Sequence, residues 1–156
     1  MTCTMQTDDK TIHLIILGDP KHQKRHRTTK IQTTDGREFN RRYDPSAGDK
    51  QDILRVVQAG APPKPFDCPL RVELHLFYPR PKSHYRTGQY AGELKPNAPQ
   101  WHTKKPDRDN ADKIILDALS KVFWRDDCLV CDGRIVKRYS ERPRTEIYIT
   151  PVVQEK

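Results

Sequence analysis

Asp107-Arg108-Asp109 places two carboxylates one residue apart, and Lys113 follows one helical turn beyond Asp109. In an extended approach both carboxylates can point the same way. Mg²⁺ prefers oxygen ligands, commonly one or two carboxylates completed by waters and phosphate oxygens. Once bound, it can activate water and neutralise charge developing on a phosphoryl group. An ammonium at Lys113 would then lie beside both the metal and the scissile phosphate, an arrangement suited to phosphodiester hydrolysis. Two plainer readings stand next to this one. Asp107 or Asp109 could simply cap the helix that follows, since Asp is a favoured N-cap. Asp109, Lys113 and Asp117 could equally form a surface ion-pair ladder, worth roughly a few tenths of a kcal/mol per pair.

The charge balance sharpens the question. Twenty-nine Lys and Arg against 21 Asp and Glu give the 156-residue chain a formal charge of +8. Such an excess favours a polyanionic partner. No segment has the basic, amphipathic pattern of a membrane-surface helix. The longest aliphatic run, Leu14 to Leu17, falls far short of the ~20 residues that a membrane-spanning helix needs. The N-terminal MTCTMQTDDK lacks the basic start and apolar stretch of a signal peptide, so a cytoplasmic location is expected. Nucleic acid is therefore the leading partner. A phosphate-binding surface gains nothing from clustered carboxylates unless a divalent cation lies between them. A non-catalytic DNA-binding protein is the alternative from another class.

The elements that must hold these residues fit one domain over residues 1–156, because single domains cluster near roughly 100–150 residues. Thr11–Leu17 reads as a buried strand stopped by Gly18. Residues 20–49 are polar and basic and read as a loop whose middle holds a short irregular strand or nothing regular. Asp52–Ala59 has helical spacing and ends at Gly60. Leu70–Tyr78 alternates as a half-buried strand. Residues 79–106 have no period; they read as either a solvated insertion or a DNA-contacting flap, with cations for phosphates and rings such as Tyr85, Tyr90 and Trp101 for unstacked bases. Asp109–Val122 is the clearest helix, with Ala111, Ile114, Ile115, Ala118, Leu119 and Val122 on one arc. Leu129–Tyr139 forms one long strand or two short ones about Asp132-Gly133, and Arg144–Thr150 forms a last strand after a turn at Glu141–Pro143. The fold class is α+β: a small domain with a mixed sheet and two main helices. Phe123 and Trp124, directly after the helix, are assigned to the core.

Asp107-Arg108-Asp109-Asn110, Lys113, Leu116-Asp117-Ala118-Leu119, Trp124-Arg125-Asp126-Asp127 and Val130, in that order and separation, resemble the RusA family of Holliday junction resolvases. The likeness continues at the start, where a strand ends in a Gly and runs into a basic loop. Arg80-Pro81-Lys82-Ser83-His84-Tyr85 looks like the longer loop of phage and prophage members. The resemblance implies a homodimeric endonuclease that uses Mg²⁺, with Mn²⁺ as its substitute, to resolve four-way branched DNA by paired nicks that leave 5′-phosphate and 3′-hydroxyl ends. It implies Asp107, Asp109 and Asp127 as metal-binding carboxylates and Lys113 as the essential lysine. The DNA-binding cations would be Lys21, Lys24, Arg25, Arg27, Lys82, Lys104, Lys105 and Arg108. The family motif often reads D-x-D-N-L-x-K, whereas Ala111 and Asp112 follow Asn110 here, and Asp112 falls on the apolar side of the helix.

Asp127 can meet Asp109 only if the chain doubles back. A helix from Asp109 to Leu119 spans about 15 Å, and the eight residues after it can extend to roughly 26 Å. Return within one chain is thus feasible and is the preferred expectation; donation from a dimer partner is the alternative. Neighbours on an extended segment face opposite ways, so only one of Asp126 and Asp127 should serve. Cys128 and Cys131 have C-x₂-C spacing, but no second pair completes a zinc site; with Cys3 and Cys68 they are expected to be reduced structural thiols.

Overall fold

The structure, a computed structural model, describes residues 11–153. Cys3 and the N-terminal decapeptide lie outside the described residues. A four-stranded sheet carries the fold. Its strands are β1 (Ile12–Leu17), β4 (Leu70–Pro79), β5 (Val130–Ser140) and β6 (Arg144–Pro151), in the order β1-β6-β4-β5. β1 and β4 run antiparallel to β6, while β5 runs parallel to β4, so the sheet is mixed as expected. A parallel pair needs a crossover connection. The long helix α2 (Arg108–Leu119) provides it.

One face of the sheet is apolar, with Leu14, Leu70, Val72, Leu74, Leu76, Ile147 and Ile149 all buried. Against it pack Ile53 and Val57 of α1 (Ala47–Val57) and the predicted arc of α2, from Ala111 to Leu119. Phe123 and Trp124 are fully buried, as their place after the helix suggested. α2 stops at Leu119 rather than Val122, because Lys121 takes left-handed backbone (φ 71°) that no helix continues.

Two sequence expectations change, and one open alternative is decided. β1 is an edge strand paired with β6 alone, so only Leu14 is buried, and Ile15 and Leu17 are 47% and 81% exposed. The stretch 20–49 is not a loop throughout. It holds a two-stranded antiparallel ribbon, β2 (Arg27–Gln32) with β3 (Glu38–Tyr43), and then the start of α1. Neither strand has a fully buried residue, so the alternating apolar signal that marks a strand is missing. Finally, β5 is one strand that passes straight through Asp132-Gly133. Gly133 is there for close approach, since a Cβ would lie 2.3 Å from the Val72 carbonyl oxygen.

The helices are joined by charge as well as by apolar packing. Lys50 Nζ on α1 donates to Asp44 Oδ2 at 2.7 Å and to Asp117 Oδ2 on α2 at 2.8 Å. Burial works against this ammonium, but the carboxylates of Asp117 and Asp44 overcome it and hold its pKa above the usual lysine value. Asp44 is pulled from 3.8 to about 2, chiefly by Lys50 and further by the Ser46 amide and Gln23. Because the folded pKa is depressed, this contribution is full above the unfolded value and disappears as pH falls through about 2. Asp44→Asn should therefore lower unfolding free energy at pH 7 by about 1–2 kcal/mol. Urea titrations should show that deficit shrinking below pH 4 and nearly gone by about pH 2.

Candidate active site at the start of the second helix

Asp107 stands at the N-cap of α2 with extended backbone, yet its side chain makes no capping hydrogen bond. Asp109, in the first turn, is exposed and has no ion-pair partner among the described residues. Lys113 is exposed and pairs with neither Asp109 nor Asp117, because Asp117 is taken by Lys50. Both plainer readings of the motif are thus absent here: there is no side-chain cap and no ladder. Among the described residues the side chains of Asp107, Asp109 and Lys113 make no hydrogen bond or ion pair, although the Asp107 carboxylate acts through space on the Lys137 ammonium.

Asp127 returns toward the same helix. Past Lys121, Phe66 brackets the segment, its amide donating to Phe123 O and its carbonyl accepting from the Arg125 amide, both at 2.9 Å. A short turn follows over Asp127–Leu129. Asp126 is spent on that turn: its carboxylate accepts from the Cys128 amide at 3.0 Å, which lowers its pKa. Asp127 Oδ1 accepts from the indole Nε1 of buried Trp124 at 2.8 Å. The two neighbours are therefore divided in role, and Trp124 orients the one left over. Sequence reasoning missed this function of Trp124; the signal was a Trp three residues before an Asp.

The negative charge of Asp127 reaches Asp112. Burial raises the Asp112 carboxyl above the usual range, Asp127 adds to the rise, and Arg108 one turn earlier opposes it. The residue that broke the family motif thus faces the returning segment. A polar cleft of about 490 Å³ opens there between α2 and β5, with Arg108, Asp112, Asp132 and Arg134 in its walls. Among the described residues, no three His, Cys, Asp or Glu side chains are gathered so that they could hold a metal ion. The chemistry of Asp107 and Asp109, two unspent hard-oxygen donors, does fit a Mg²⁺-type ion that keeps most of its waters.

Both basic segments lead to this helix end. The first is tied down by Gln23, whose backbone N–H donates to Asn110 O at 2.8 Å, while the Lys24 backbone N–H donates to buried Ser46 Oγ at 2.8 Å. Lys21 and Lys24 also pair with Asp49, at 3.5 and 3.2 Å, so part of their charge serves the fold. Arg25 and Arg27 are exposed. The second segment, 79–106, runs directly into Asp107, and Lys82, Lys104 and Lys105 are exposed on it.

The rings of that segment divide. Trp101 is 50% exposed under the Arg138 guanidinium (4.7 Å), and Tyr90 lies exposed under Arg86 (3.9 Å). His102 instead packs inward, stacked on Tyr78 at 4.0 Å and beside Tyr139, and burial lowers its pKa. Burial likewise pushes the Tyr78 hydroxyl up to about 12. Of the thiols, Cys68 is buried, whereas Cys128 and Cys131 are exposed and not part of the core.

Residues 18–150 match the family of the endodeoxyribonuclease RusA. The uncharacterized protein YqaN of Bacillus subtilis (strain 168) is 30% identical over 146 residues, covering 90% of this chain and 96% of that protein. No helix among the described residues is long and apolar enough to cross a membrane. The match starts just after β1 and takes in both helices, β2 to β5 and all but the last residue of β6, and the chain belongs to the RusA family of endodeoxyribonucleases.

Proposed function

We propose that this protein is a Mg²⁺-dependent endonuclease that resolves four-way DNA junctions by paired phosphodiester cuts. The observation that carries the reading is the uncommitted pair Asp107 and Asp109, flanked by Lys113 and reached by both basic segments. Asp107 and Asp109 would hold the ion, and Asp127, from the same chain or from a partner, would complete the set. A divalent ion there supplies water activation and charge neutralisation at the phosphate. Lys113 places its ammonium against charge developing on the phosphoryl oxygens. Arg108, Lys104 and Lys105 bind the flanking phosphates, as do Arg25 and Arg27. Trp124 holds Asp127 in one orientation through its indole hydrogen bond. The chain performs this chemistry in the cytoplasm.

Asp109→Asn should lower cleavage of a labelled four-way junction at least about 100-fold while gel retardation persists or tightens. Removing one negative charge weakens the metal site yet relieves repulsion of phosphate. Near-normal cutting by this variant in ordinary Mg²⁺ would remove Asp109 from the site. Junctions that are retarded but never cut, under Mg²⁺, Mn²⁺ or EDTA alike, would favour the non-catalytic DNA-binding alternative.

Lys113→Ala should lose about 10²–10³ in single-turnover rate. Its melting temperature should barely move, since Lys113 makes no ion pair with Asp109 or Asp117. A stability loss with cleavage intact would return Lys113 to a structural role.

A junction with two-fold symmetry must be cut on two opposed strands, and one chain offers a single Asp107–Asp109 pair. A symmetric homodimer supplies two. Sedimentation at micromolar concentration should give a species near twice 18.2 kDa, with strongly salt-dependent junction binding. Only monomer, both free and on the junction, would sink the paired-incision mechanism.

A further inference from the structure

Lys137 lies in the second half of β5, opposite Leu76 of β4, with its side chain on the helix-covered face of the sheet. Its ammonium donates to two carbonyls of the incoming segment: Lys104 O at 2.7 Å and Pro106 O at 2.6 Å. Its own backbone carbonyl accepts from the His102 amide at 3.1 Å, and two residues on, the Tyr139 amide donates to Gln100 O at 2.9 Å. The last stretch of an otherwise aperiodic loop is therefore docked along the edge of β5, and Lys137 alone contacts it at three points.

We propose that Lys137 is a positioning residue that fixes the backbone from which Asp107 enters the candidate site. This inference rests on the reading of Asp107 as a cation ligand. Pro106 O belongs to the peptide group that joins Pro106 to Asp107, so anchoring it sets the plane on which the Asp107 backbone is built. The Asp107 side chain makes no capping bond of its own, and its carboxylate lies near enough to the Lys137 ammonium to favour that charge against burial. A compact ammonium with three donors suits two converging carbonyls. A neutral apolar side chain of the same length would leave both without a partner.

The comparison is Lys137→Met against Lys137→Arg, each checked for folding by thermal melting and circular dichroism. Lys137→Met should bind Mn²⁺ about tenfold more weakly in the absence of DNA, read by the free-Mn²⁺ electron paramagnetic resonance signal. Its junction cleavage at fixed Mg²⁺ should fall about 100-fold, because a small displacement of a reacting group is costly. Junction binding in Ca²⁺ should stay near that of the unaltered protein. Lys137→Arg, which can still donate to both carbonyls, should recover most of the loss. A folded Lys137→Met protein with unchanged Mn²⁺ affinity and cleavage overturns the proposal. Should Lys137→Met fail to fold, ¹⁵N-lysine spectra of the unaltered protein decide instead. Exchange-protected ammoniums are expected for Lys50 and Lys137, of which Lys137, next to the Asp107 backbone, shifts on adding Mg²⁺; absence of any protected ammonium beyond that of Lys50, or no shift on adding Mg²⁺, overturns the proposal. Asp107→Asn, run in parallel, separates the two ideas. Normal cutting by that variant removes the site reading itself, whereas loss there with normal behaviour in Lys137→Met removes only the role of Lys137.

Discussion

Lys50 holds two helices by a single ammonium. It is 20% exposed, too buried to shed its charge into water cheaply, and it sits between Asp44 and Asp117 on separate parts of the chain. Removing either carboxylate leaves the other charges of the group less well compensated, which is why partly buried pairs fix geometry even where their net stabilisation is modest. Asp44 carries the constraint outward. It accepts from Gln23 at 2.8 Å and from the Ser46 amide at 2.9 Å, and Ser46 in turn accepts from the Lys24 amide. The basic segment from Lys21 to Arg27 has no apolar side chain to bury, so polar contacts position it beside α2: this network, the Gln23 backbone bond to Asn110 O and the pairs of Lys21 and Lys24 with Asp49.

The apolar core does a different job. It fixes where α2 lies on the sheet, through Ile114, Ile115 and Leu119, but leaves the polar rim of the helix free. Asp107, Asp109 and Lys113 lie on that rim or at its start, while Asp127 comes from the turn after the helix. Asp109 and Lys113 face solvent, Asp112 faces the returning segment, and Asp117 faces α1. One helix thus gives its apolar arc to stability and divides its polar arc between the helix–helix bridge and the site.

What was legible in the sequence follows from this division. α2, β4 and the last strand each bury one regular face, and their periods showed in Ala111 to Leu119 and in Leu70 to Tyr78. The β2–β3 ribbon buries almost nothing, so its sequence carries charge and no alternation, and it read as loop. The motif carboxylates and Lys113 were legible because they are close in sequence. Lys137 was not, since its contacts with Lys104 and Pro106 cross more than thirty residues and depend on β5 pairing with β4. The use of Asp126 in its own turn and of Asp127 on Trp124 was half legible: alternation said that the two must differ, but only the fold says where each one points.

The last constraint is electrostatic. Two carboxylates one residue apart repel each other, and they repel an approaching phosphate as well. The start of a twelve-residue helix is where that arrangement is least unfavourable, because the free amides of the first turn present partial positive charge. The same end attracts phosphate. Cations surround it: Arg108 and Lys113 on the helix, Lys104 and Lys105 on the incoming segment, and the Lys21–Arg27 segment tied to Asn110. A helix start ringed by cations can bring DNA close even with two carboxylates in its midst. That combination makes little sense for a plain phosphate-binding surface and good sense for one that must also admit a divalent ion.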